Sequence, residues 1–414
     1  PPITVPAWSS MLSSRDPGEL GIYGFRDRSG HGYGESAFAS SYSVRLPRLW
    51  EMLPPGARSI LIGVPQTYPP PAVDGWVVSC LLTPSAAKVT THPPELRREL
   101  DEMCGGYTFD VEDFRSSDRS ELLERIYAKT RQDFAVARHL ATTRPWNLLA
   151  MVVMGTDRIQ HAFWPRQDDD AAPGWSVLLE YYRALDAEIG ALQQCLAPDA
   201  VMLVVSDHGA KRMEGGIFLN QWLIDNGYLR LLEEPVQPTP LRPAMVDWAH
   251  TTAWADGGYC GRIYLNVSGR EPAGTVAAAD VEALCDELAR GIAGIAGPQS
   301  DALGSVVHRP RDLYAAVEGV APELFVYLGN LGWRALGSVG AGSWYADGND
   351  TGPDGANHDH DGILILADPQ QSYGGVALDG LQLMDVAPTV LSFFLSPCEY
   401  PAALRGKNVR PDLI

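Results

Sequence analysis

Short apolar runs alternate with helical patterns along this 414-residue chain, and clusters of acidic and histidine residues sit beside three of those runs. The runs at 59–64, 148–154, 201–205, 263–267, 324–328 and 363–367 are bounded by turn residues, the pattern of buried strands. Helical periodicity fills 120–141, 177–195, 218–226, 279–292 and 383–395. Strands that alternate with helices are covered on both sheet faces. The expected fold class is therefore α/β: a three-layer α/β/α sandwich with a mostly parallel central sheet. Ligands in such sheets collect beyond the carboxyl ends of the strands. Proline and glycine mark loops at 69–71, 235–243 and 340–355, while residues 211–320 carry strand and helix material of their own. The expected organisation is a core of residues 1–210 and 321–414 with an inserted cap region over 211–320.

The three clusters are Asp157-Arg158-Ile159-Gln160-His161, Ser206-Asp207-His208-Gly209 and Asn357-His358-Asp359-His360-Asp361-Gly362. Asp157 and His161 are one helical turn apart, so they project from one face and can share a cation. Asp207 and His208 are neighbours, and both reach one ion only where the backbone turns, which Gly209 eases. The plainer alternative is a capping aspartate beside a packed histidine. In the third cluster His358 and His360 compete for one ligand place. Thr4 precedes Pro6, a residue suited to the first turn of a helix. A hydroxyl there is a helix cap, or it stands where free N–H groups attract anions. It becomes a nucleophile at neutral pH only if a base or a metal lowers its pKa. Five Asp/His side chains with the Thr4 hydroxyl suit two divalent cations beside a nucleophile, which is equipment for phosphoryl transfer.

Lys211, Arg212 and Arg270 are further candidates for meeting a substrate phosphate. Trp8, Trp164, Trp248 and Trp254 read as core residues or as walls for a leaving group. The run Asp168-Asp169-Asp170 reads as a solvated loop. A net charge of −19 excludes a nucleic-acid binder and repels any anionic substrate unless bound metals concentrate positive charge. No apolar stretch approaches the ~20 residues that span a bilayer. Six scattered cysteines without a C-x-x-C pair argue against cysteine-held zinc and for buried, reduced thiols in a cytoplasmic setting.

At these residues the chain resembles the alkaline phosphatase superfamily, and within it the type I phosphodiesterase/nucleotide pyrophosphatase group. The likeness includes residues 1–25, ending in Gly21-Ile22-Tyr23-Gly24-Phe25, and the stretches 64–69, 154–164, 205–209, 219–223, 261–274 and 384–391. It implies that Asp157, His161 and His358 bind one metal, and that Asp207 and His208 bind a second together with the nucleophile Thr4. His358 is preferred to His360 because a glycine, Gly362, follows it four positions later. The resemblance implies two divalent metal ions, zinc by preference and manganese by compatible ligand type. It implies a small phosphorylated substrate, a phosphate mono- or diester, cleaved through a phospho-threonine intermediate.

Two departures stand out. The family takes a further metal-binding aspartate from a first strand upstream of the nucleophile, whereas only three residues precede Thr4, so an omitted or cleaved first strand is expected. Ala7 stands where nucleotide pyrophosphatases carry an asparagine that holds a phosphate oxygen. The alternatives are a phosphoryl transferase or mutase of the same superfamily, or a non-catalytic member lacking one metal ligand. A sulfatase is set aside, because Thr4-Val5-Pro6-Ala7-Trp8 lacks the cysteine or serine and the arginine of its frame.

Overall fold

The computed structural model describes residues 1–165, 172–401 and 403–410; the run Asp168-Asp169-Asp170 lies outside them. At its centre the strand Ser59–Ile62 pairs in parallel with Gly75–Val78 on one side and Leu148–Met151 on the other. Thr91–His92 adds an antiparallel edge. All four residues of Ser59–Ile62 are buried, and Ile60, Leu61 and Ile62 are apolar in succession rather than alternating with polar residues.

Successive side chains of that strand serve opposite layers. Ile60 and Ile62 pack with Phe134, Ala137 and Leu140 of the helix Arg119–Thr143 and with Leu192 of the helix Pro173–Gln193. Leu61 faces the other way, onto Leu12 of the helix Thr4–Ser13 and Ala387 and Leu391 of the helix Val386–Leu391. Helices thus cover both faces, and the architecture is an α/β sandwich.

Met202–Val205 pairs with Leu364–Ala367, and that pair is antiparallel. Leu148–Met151 and Met202–Val205 are only half-buried throughout, and Ile363 and Ile365 beside them are more than half exposed. An open groove of about 850 Å³ runs along this second pair, lined in part by Leu196, Ile363, Ile365 and Leu381.

Strands expected near 263–267 and 324–328 lie in a separate antiparallel sheet, in the order Ala253–Asp256, Gly261–Leu265, Leu324–Tyr327, Val306–His308. The helix Val281–Ala293 packs Leu288 and Ile292 into the same apolar cluster as Ile263, Leu265 and Leu324. This sheet joins three strands from within 211–320 to Leu324–Tyr327, which lies beyond residue 320. Among the described residues no helix is long and apolar enough to cross a membrane. No cysteine is paired: Cys80, Cys260 and Cys285 are buried as thiols, whereas Cys195 and Cys398 are exposed.

Candidate metal centre

The strand Leu148–Met151 leads into the short helix Gly155–Phe163, whose first turn carries Asp157 and whose last carries His161. One turn of separation brings Asp157 Oδ1 to 3.3 Å from His161 Nε2. His358 arrives on the strand Ala356–Asp359, which pairs with Gly209–Arg212 so that His358 opposes Ala210. Its Nε2 lies 3.3 Å from His161 Nε2 and 3.5 Å from Asp157 Oδ1. These three residues, Asp157 half-buried and both histidines buried, form a group able to hold a metal ion.

The histidines are aimed by what their other nitrogens touch. His358 Nδ1 donates to the carbonyl of Pro2 at 2.7 Å, and His161 Nδ1 lies 2.8 Å from Asp354 Oδ1. With Nδ1 engaged outward, both Nε2 atoms point inward beside a carboxylate oxygen, the usual arrangement around a bound cation. A tetrahedral site with bonds of ~2.0–2.1 Å has ligand–ligand edges of about 3.3–3.4 Å, which the three distances match. Asp354 is itself clamped by Arg334 Nη1 at 2.9 Å and Arg115 Nε at 3.1 Å.

Burial opposes the positive form of His161, but Asp157, with Tyr259 and Asp354, outweighs it and raises the pKa to about 10. His358 is pushed the other way, by burial and by the neighbouring His208. Burial also opposes ionisation of Asp157, yet His161, His358 and Arg158 hold its carboxyl well below the usual range.

Asp207 and His208 follow the strand Met202–Val205. Asp207 Oδ2 lies 3.3 Å from His208 Nε2, while His208 Nδ1 donates to the Gly209 carbonyl at 2.9 Å. Asp207 Oδ2 is buried with no hydrogen-bond partner, and burial pushes its carboxyl up. Such an orphaned oxygen fits a cation ligand. The His208 ring stacks on His358 at 3.6 Å, so Asp207 and His208 adjoin the group of Asp157, His161 and His358. Gly209 is needed for close approach rather than for an unusual turn: a Cβ there would lie 2.0 Å from the Asp361 carbonyl oxygen.

Thr4 is buried at the first position of its helix, and the N-cap place belongs to Ile3, which offers no side-chain cap. The hydroxyl of Thr4 is therefore not the cap, and the Thr4 and Val5 N–H groups have no intrahelical partner. Two residues earlier, Pro2 is bonded to His358, which ties this helix start to the metal cluster.

Other candidates fall elsewhere. His360 packs against Tyr327, outside the cluster. Lys211 pairs with Asp359, Arg212 with Glu214, and Arg270 with Glu271 and Glu323. Trp248 stacks on Tyr33, Trp164 packs on Trp175, and Trp8 packs in the core beside Leu12. Asp354 and Tyr259 were not among the expected residues. Asp354 sits in a Gly/Asp-rich stretch that reads as loop, and the cue for Tyr259 is an aromatic set among Gly257, Gly258 and Gly261.

Comparison with known proteins follows this geometry. Human ectonucleotide pyrophosphatase/phosphodiesterase 5 superimposes with a TM-score of 0.52 at 13% identity, over 99% of this chain and 87% of that one. Two murine structures of the same enzyme, one an inactive form in complex with AMP, give 0.45 at 14% identity over 88% and 76%. At such identities the likeness establishes the fold alone. No curated protein sequence matches significantly. A family model described as type I phosphodiesterase / nucleotide pyrophosphatase matches residues 1–354. The chain belongs to that family, metal-dependent hydrolases of phosphoric esters.

Proposed function

We propose that this protein is a two-metal phosphohydrolase that cleaves a small phosphate mono- or diester through a phospho-threonine intermediate on Thr4. The observation that carries it is the convergence of Asp157, His161 and His358 at tetrahedral ligand spacing, with His208 stacked on His358. Asp157, His161 and His358 would hold one ion; Asp207, His208 and the Thr4 hydroxyl oxygen would hold the other. The unpartnered Asp207 oxygen supports the second assignment. Edge lengths near those of tetrahedral zinc favour zinc over manganese. When bound, the cations supply Lewis acidity, lowering the pKa of the threonine hydroxyl and offsetting phosphoryl charge.

Thr4 then attacks phosphorus in line with the leaving oxygen, so that a Thr4 oxygen–phosphorus bond forms as the ester bond breaks. The free N–H groups of Thr4 and Val5 face the charge gathering on the phosphoryl oxygens. Water attacks the phospho-threonine from the opposite side and returns Thr4 to its alcohol. Residues 211–320 are proposed as the cap that selects the leaving group. A cytoplasmic setting belongs to the same reading and rests on the scattered cysteines.

The test compares wild type with Thr4→Ala on a panel of aryl phosphate mono- and diesters, with metal content measured by elemental analysis. The variant should lose turnover and keep most of its metal. Full activity would remove Thr4 from the reaction. Added alcohol that captures the phosphoryl group in place of water would convert the reading to a transferase.

A further inference from the structure

The outward hydrogen bond of His358, from Nδ1 to the Pro2 carbonyl at 2.7 Å, fixes one point of the imidazole. It leaves the ring plane free to turn, because the torsion that carries an imidazole has a broad minimum. Two other rings set that plane. His208 lies over His358 with centroids 3.6 Å apart and planes 18° from parallel, and Tyr259 lies over it at 3.4 Å and 17°. Two rings this close and this parallel to a third cannot share one of its faces, so His358 is the middle layer of a stack. The Arg334 guanidinium lies 4.5 Å over the Tyr259 ring, and with one face taken by His358 it covers the other. Arg334 is itself fixed, by Asp354 at 2.9 Å and by the Ala356 carbonyl at 3.0 Å.

Tyr259 reaches this place from the turn between the strands Ala253–Asp256 and Gly261–Leu265. The turn is pinned: Gly258 N donates to the Ala335 carbonyl at 2.8 Å, and Asn357 Nδ2 donates to the Tyr259 carbonyl at 3.3 Å. The phenolic oxygen stands 3.4 Å from His161 Nε2, long for a hydrogen bond, so the ring face rather than the oxygen makes the close contact. The lone pair of Nε2 lies in the imidazole plane, and a tilt of that plane swings it away from an ion shared with Asp157 and His161. We infer that Tyr259 is a positioning residue: its ring clamps the His358 imidazole against His208 and so aims Nε2. The inference rests on the reading that Asp157, His161 and His358 bind a metal. An aromatic face is what the position requires, so phenylalanine serves there and an aliphatic side chain does not.

The experiment titrates zinc and cobalt(II) into the full metal-depleted chain and compares wild type with Tyr259→Phe, Tyr259→Leu and His358→Ala. His358→Ala identifies the share of the cobalt visible spectrum that comes from the ion at His358. Tyr259→Phe should keep the wild-type affinity and bands. Tyr259→Leu should bind roughly tenfold or more weakly and alter those bands while keeping the wild-type circular dichroism. Tyr259→Leu with unchanged affinity and bands overturns the clamp and leaves the three-residue site standing. Tyr259→Phe as damaged as Tyr259→Leu overturns it too, by assigning the effect to the phenol oxygen. The stack is also read without any change at 259, from the NMR shifts of the His358 ring protons in the metal-free wild type. Rings over both faces should move these protons upfield, and ordinary shifts overturn the clamp even if Tyr259→Leu does not fold. Wild type that binds neither ion, or His358→Ala that binds like wild type, overturns both this inference and the reading it rests on.

Discussion

Asp354 touches no expected substrate position, yet it fixes the tautomer and direction of His161. Asp354→Asn keeps the shape but removes the charge that Arg115, Arg334 and His161 share, and it should weaken zinc binding about 10- to 100-fold. Competition against a chromophoric chelator measures this, and unchanged affinity would reduce Asp354 to packing. The raised pKa of His161 sets the pH dependence. Near neutrality the metal-free ring keeps a proton, its folded pKa of about 10 lying above the ordinary value, and a cation must displace it. Affinity should therefore rise with pH below that value. The slope should be about tenfold per unit, because one proton leaves. An affinity that does not change over this range would mean that the ring loses no proton when the ion binds. The residues alone left His358 and His360 open; the family resemblance implied His358, and the structure gathers His358 with Asp157 and His161. The Asp354 contact was not legible, because it joins residues 193 positions apart and no local pattern marks such a pair.

Among the elements, the pairing of Gly209–Arg212 with Ala356–Asp359 does most to assemble the site, since it sets His208 against His358. Gly209→Ala would drive a methyl group into the Asp361 carbonyl and push these strands apart. The expected cost is about 1–3 kcal/mol of stability, with a parallel loss of zinc affinity as the two rings separate. Denaturant titration and zinc competition on the same variant check this, and a variant melting like wild type would mean the strands yield without strain. Long elements were readable from periodicity alone. The helix expected over 120–141 spans Arg119–Thr143, and the apolar run at 59–64 gives the buried strand Ser59–Ile62. Strand partnership was not readable. Gly261–Leu265 and Leu324–Tyr327 are as apolar as the strands of the parallel sheet, but they pair antiparallel in another layer. Composition reports burial, whereas direction depends on the connections between strands.

For the molecule as a whole, the charge of −19 acts at distances where single residues do not. The guanidinium groups around the site do little to reverse it locally: Arg158 is bonded to Asp110 and Asp157, and Arg115 and Arg334 to Asp354. Two divalent cations would offset only four of the nineteen charges. An anionic ester approaching this protein therefore climbs a repulsive field before it meets the metals. That field reaches roughly 30 Å at 0.01 M salt and only about 8 Å at 0.15 M. Raising a non-coordinating salt across that range should increase kcat/KM for an aryl phosphate, on the order of two- to tenfold, by faster association at unchanged kcat. Enzymes whose fields attract their substrates show the opposite slope. A decrease in kcat/KM with salt would mean that the exposed face of the site presents a net positive potential, and that the acidic residues responsible for the overall charge lie too far away to be felt there.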